Sequence, residues 1–127
     1  MSKVYVVELP LRHDRTSGQM VPARDLTDAC RFGEIIFLLP PSGEGRPFDL
    51  KPVVDKLREG LHGFTSDDYL VAGMGHPLSL AAATALAAEA AEGKLKLLHW
   101  LRDDAGYQAV TLDLFNMDDE RFEKKRV

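Results

Sequence analysis

Cysteine occurs once in this chain, at Cys30, so no disulfide can close within it. That scarcity fits a reducing compartment and excludes a Cys-x-x-Cys metal or redox pair. Cys30 itself is expected to be a small, semi-buried apolar residue, because only Arg31 beside it would lower its pKa. Long apolar runs are also lacking, and none approaches the ~20 residues of a membrane helix. The longest candidate, Leu78 to Ala91, is mostly alanine and is interrupted by Ser79, Thr84 and Glu89. The opening stretch Met1 to Glu8 meets charge too early for a signal peptide. These absences predict a cytoplasmic protein without membrane contact. Positive charge is not in excess either: 16 Lys and Arg stand against 20 Asp and Glu, a net charge of −4. A direct nucleic-acid ligand is therefore not expected, since phosphates need clustered cations. Lys94, Lys96 and Arg102, and the closing Lys124-Lys125-Arg126, read as solvated surface.

The usual signatures of catalysis are missing as well. His13, His62, His76 and His99 show neither His-x-His nor His-x-x-x-His spacing, so no metal is expected. Ser17, Ser42, Ser66 and Ser79 lack a nucleophile elbow. Asp67, Asp68, Asp103, Asp104 and Asp113 fall at strand ends and turns, where capping accounts for them. An enzyme relying on His76 or His13 with nearby aspartates is the least favoured reading.

What is present is alternation of strand and helix patterns. With 45% hydrophobic and 28% charged residues, the composition is that of a globular domain. Val4–Leu9 reads as a strand ending at Pro10, followed by a polar arm over 11–24 turning at Ser17-Gly18. Asp25 to Phe32 suggests a helical turn capped by Asp25 or Thr27 and stopped by Gly33. The unbroken apolar run Glu34 to Leu39 predicts a strand covered on both faces. Residues 40–47, rich in proline and glycine, read as a loop. The spacing of Leu50, Val53, Val54, Leu57 and Leu61 predicts a helix from Leu50 to about His62, capped by Asp49. Tyr69 to Ala72 reads as a strand, and Leu78 to about Glu92 as a second, heavily buried helix ending at Gly93. Lys94–Leu101 and Tyr107–Leu114 alternate around an Asp103-Asp104-Ala105-Gly106 turn.

The fold expected is α/β, bordering on α+β: a small mixed sheet of four to five strands, two main helices and a C-terminal β-hairpin. Residues 1–115 are expected to form one domain and 116–127 a charged tail. The segment Gly73-Met74-Gly75-His76-Pro77 joins a strand to a helix start, where free N–H groups suit an anion. The third glycine of the dinucleotide fingerprint, its later ribose-binding acid and the Walker lysine are all absent, so no cofactor is expected. Gly73, Gly75 and His76 remain candidates for a small-anion or nucleotide ligand. Arg12, His13, Arg15, Arg24 and Arg46, with the Asp67-Asp68 corner, are candidates for contacting a protein partner. The edge strand Tyr107–Leu114 makes a homodimer an open alternative.

Asp25-Leu26, Arg31-Phe32-Gly33-Glu34-Ile35, Asp67-Asp68-Tyr69-Leu70, Gly75-His76-Pro77 and Lys94-Leu95-Lys96-Leu97-Leu98-His99-Trp100 together carry a resemblance. The chain resembles small uncharacterised proteins encoded by phages and mobile elements. What this resemblance implies is a compact accessory protein that binds a macromolecule. The leading expectation is accordingly a non-enzymatic binding or regulatory protein, such as an inhibitor of host machinery.

Overall fold

The computed structural model describes residues 2–40 and 48–115. Arg46, most of the 40–47 loop and the charged 116–127 segment therefore lie outside the described residues. Five strands form one mixed sheet in the order β4-β1-β5-β6-β7, and β2 pairs with β3 separately. The strands are β1 (Lys3–Val6), β2 (Leu11–His13), β3 (Met20–Pro22), β4 (Glu34–Phe37), β5 (Tyr69–Val71), β6 (Lys94–Leu101) and β7 (Gly106–Asp113). The helices are α1 (Leu50–Gly60) and α2 (Pro77–Ala90), with a 3-10 turn at Asp28–Phe32. The expected α/β class, its hairpin and its two helices are all present.

β1 runs parallel to β4 on one side and to β5 on the other, β5 runs parallel to β6, and β7 returns antiparallel. The chain first moves from β1 outward to β4, then crosses back over β1 to β5. Opposite directions of travel with right-handed crossovers demand coverage of opposite faces. The two apolar clusters follow this rule. Leu57, Leu61, Ala83, Ala87 and Ala91 of the helical layer pack with Tyr5, Val7, Leu70 and Leu95 on one face. Ala29, Leu26 and Phe32, from the segment between β1 and β4, pack with Val4, Val6, Val71 and Leu98 on the other. Period-two alternation along β1 thus feeds two cores at once.

Four local expectations need correction. Glu34–Phe37 is covered on both faces only in part: Ile35 packs against one cluster and Ile36 against the other, but Phe37 is exposed and β1 is the strand's sole partner among the described residues. Its apolar run is explained by Leu38 and Leu39, which turn into the helix-side core after the strand ends. Helix α2 is buried only along Ser79, Ala83 and Ala87, and Leu78 is half exposed. Its alanines allow close approach on one side, while its outer side faces solvent. Neither Asp49 nor Thr27 makes a side-chain cap, although each sits at an N-cap position. Cys30 is exposed, with its thiol directed at the Leu26 carbonyl.

Candidate functional site

The carboxyl ends of the parallel strands gather four of the candidate residues, Arg24, Gly73, Gly75 and His76. Between β1 and β5 the connections leave in opposite directions, which opens a crevice at the strand ends where ligands of open α/β sheets usually sit. The Gly73–His76 turn lies there. Gly73 and Gly75 have φ of 107° and 126°, conformations that side-chain-bearing residues rarely adopt. At Gly75 a Cβ would also lie 3.3 Å from that of Glu8, so the turn is held close to the exit of β1. Met74 is buried between the glycines and anchors the turn in the core around Val71, Leu98 and Tyr107.

His76 takes the N-cap position of α2, and its Nδ1 accepts a hydrogen bond from the Leu78 N–H at 3.1 Å. Its ring stacks on Phe48 at 4.0 Å and 10°. Pro77 has no N–H to offer. The helix start is therefore already occupied by its own histidine, which weakens the anion reading of the turn. His76→Ala is expected to lower unfolding stability by about 1 kcal/mol through loss of the cap. His76→Asp is expected to restore most of that loss, since a carboxylate accepts the same bond and suits the helix dipole. Urea unfolding of the three proteins checks the pair.

A second hollow, of about 390 Å³, opens beside this turn. Its walls are Arg24 and Asp25 from the segment after β3, Gly73 and Met74, and the aromatic pair Trp100 and Tyr107. The two rings meet edge to face at 5.1 Å, and Trp100 remains 41% exposed. Gly73 and Arg24, expected to serve different ligands, thus line one cleft. Trp100, Tyr107 and Met74 were missed as candidates. The signal available was the single tryptophan of the chain at a strand end.

The other candidates separate. Arg12 and His13 are exposed on β2, which pairs with β3 in a hairpin whose tip is closed by Asp14. The Asp14 carboxylate accepts from the N–H groups of Thr16 and Ser17 and from the Ser17 hydroxyl. Arg15 is exposed in that tip. Asp67 and Asp68 precede β5, at the end opposite the cleft. Asp67 is exposed, but Asp68 is only 5% exposed. Its carboxylate accepts from the N–H groups of Lys3 and Thr65 at 2.9 Å each and from the Thr65 hydroxyl at 3.2 Å.

Beside the cleft, Asp28 and Arg31 clasp the start of β7. Asp28 accepts the Tyr107 N–H at 2.6 Å, and Arg31 donates to the Tyr107 carbonyl at 2.6 Å and to Asp28 at 3.1 Å. The Tyr107 N–H holds the Asp28 carboxyl below its ordinary pKa, with Arg31 adding to the effect. Hydrogen bonds from the Ser17 hydroxyl and the Thr27 hydroxyl do the same for Asp14 and Asp25. Burial raises the Tyr107 phenol. Because the unfolded chain protonates these three carboxyls first, their contribution is complete above the ordinary carboxyl value of about 4 and is lost as pH falls through the lower folded values. Thermal unfolding followed from pH 6 downward is expected to show stability falling below pH ~4, with less decline in Asp28→Asn.

The model of the Phage Pam3 gp32-like protein family matches residues 2–114 of the chain. The protein belongs to this family. The resemblance to phage-encoded proteins is thereby borne out, and the match covers the hairpin, the cleft and both faces of the sheet. No curated protein and no solved structure matches the chain. Among the described residues, no helix is long and apolar enough to cross a membrane.

Proposed function

We propose that this member of the phage family is a non-enzymatic binding module that recognises a protein partner through the cleft beside Trp100. One observation carries the reading: Trp100, Tyr107, Arg24 and Met74 converge on a single open hollow. These are the residue types enriched where protein interfaces concentrate their energy. Arg12, His13 and Arg15 on the neighbouring hairpin supply exposed basic groups suited to an acidic rim on the partner. Asp68 belongs to the framework in this reading, and Asp67 lies away from the contact face. Inhibition of a host component would follow if the covered surface of that partner were its working surface.

The test is affinity capture from infected host cells with the wild-type chain and with Trp100→Ala and Arg24→Ala, each checked for native circular dichroism. A partner retained by the wild type and lost from Trp100→Ala, with binding weakened on the order of tenfold or more, is the expected result. Equal capture by all three proteins would remove the cleft from the proposal.

A further inference from the structure

We propose that β7 is a dimer edge: a second copy of this chain adds antiparallel to it over 108–112, with Val110 opposite its own counterpart. The backbone identifies which groups are available. Tyr107 directs its N–H and carbonyl to Asp28 and Arg31, away from β6. In an antiparallel ladder alternate residues face the same side, and the β6–β7 register runs unbroken from Gly106 to Asp113. The Leu114 N–H bonds inward to the Gly93 carbonyl, as this alternation requires. Ala109 and Thr111 therefore present their main-chain groups outward, and both residues are exposed. An open hollow of about 580 Å³ flanks this edge, lined in part by Asp28, Arg31, Gln108 and Ala109.

Sheet edges are normally guarded by lysine, proline, bulges or shortness. β4, the opposite edge, is four residues long and carries Glu34. β7 has eight residues, and from Tyr107 to Leu112 none is charged and none is proline. Among the described residues it is guarded by the Asp28–Arg31 clasp, which imitates a neighbouring strand at Tyr107 and stops there, and by the charge of Asp113 at its far end. A twofold axis at Val110 pairs Ala109 with the partner's Thr111 and Thr111 with the partner's Ala109, and the free run ends where each clasp begins. A second copy fits this strand because isologous pairing sets it against itself, and an uncharged strand meets no like charge there. Val110, 43% exposed on the helix side of the sheet, gains its counterpart as an apolar neighbour.

Sedimentation equilibrium of the full chain over a wide concentration range tests the proposal. The mass is expected to rise from monomer to dimer. Thr111→Pro removes an outward donor without touching the β6 ladder, and Val110→Lys sets like charges across the axis. Each is expected to weaken dimerisation on the order of tenfold or more, whereas Thr111→Ala and Trp100→Ala leave it unchanged. If Thr111→Pro unfolds, Val110→Lys with native circular dichroism decides the matter. A monomer at every soluble concentration, or a dimer indifferent to Val110→Lys, would overturn the assignment.

Discussion

Gly33→Ala is expected to destabilise the fold by about 3 kcal/mol or more, among the largest effects of any single methyl group added to this chain. Gly33 has φ 155° and ψ −173°, a region open essentially to glycine alone. A Cβ there would collide with the Ser2 carbonyl oxygen, and its distance to the Ser2 carbonyl carbon would be 2.7 Å. Both are backbone atoms, so no side chain can rotate to make room. Ser2 is fixed in turn because Lys3 begins β1, which pairs in register with β4 from Glu34 onward. The alternatives are loss of the β1–β4 register or a shifted 3-10 turn, and each disturbs the core around Ala29, Val4 and Val6. Urea unfolding measures the loss. A change below about 1 kcal/mol would mean that the β1–β4 junction relaxes freely.

Asp68→Ala is expected to cost about 3 kcal/mol, because it leaves two N–H groups of Lys3 and Thr65 without their acceptor in a part-buried site. Hydrogen bonds to a charged acceptor are stronger than neutral ones, and Asp68 ties the loop before β5 to the first residue of β1. Asp68→Asn keeps one carbonyl oxygen and is expected to recover part of the loss. The same pair of variants separates framework from contact. A framework residue lowers the melting temperature without changing affinity at equal folded fraction. A contact residue does the reverse. A fully stable Asp68→Ala that fails to capture the partner would return Asp68 to the binding surface.

Several features were legible in the residues themselves. The spacing of Leu50, Val53, Leu57 and Leu61 marks α1, and the burial of Leu57 and Leu61 agrees with it. The Asp103–Gly106 turn joins β6 to β7, with Ala105 at φ 48°. Gly93, at φ 85°, ends the α2 region as expected of a glycine after a helix. The strand-turn-helix at Gly73–Pro77 was also visible. What the turn does was not, since the pairing of His76 with Phe48 joins residues on either side of α1 and β5.

Misreadings arose where local pattern and environment diverge. Glu34–Leu39 looks fully covered on both faces because composition cannot distinguish burial within a strand from burial just beyond its end. Alanine in α2 looks like core because it is apolar, yet a small side chain tolerates either environment. The Asp28–Arg31 clasp on Tyr107 spans 76 residues or more and leaves no trace in periodicity.

The sequence alone determined the order of the main-sheet strands and the helices, though not the β2–β3 pair in its polar arm, through the period of its apolar residues and the glycines that side chains cannot replace. The tertiary structure decided which strands became edges, which carboxylates face backbone N–H groups, and that Arg24, Gly73, Trp100 and Tyr107 share one cleft. The reason is physical: secondary structure follows from interactions within a few residues, whereas a cleft and an edge exist only once distant segments pack. Periodicity records which face of a helix or strand is apolar, not which neighbour will meet it.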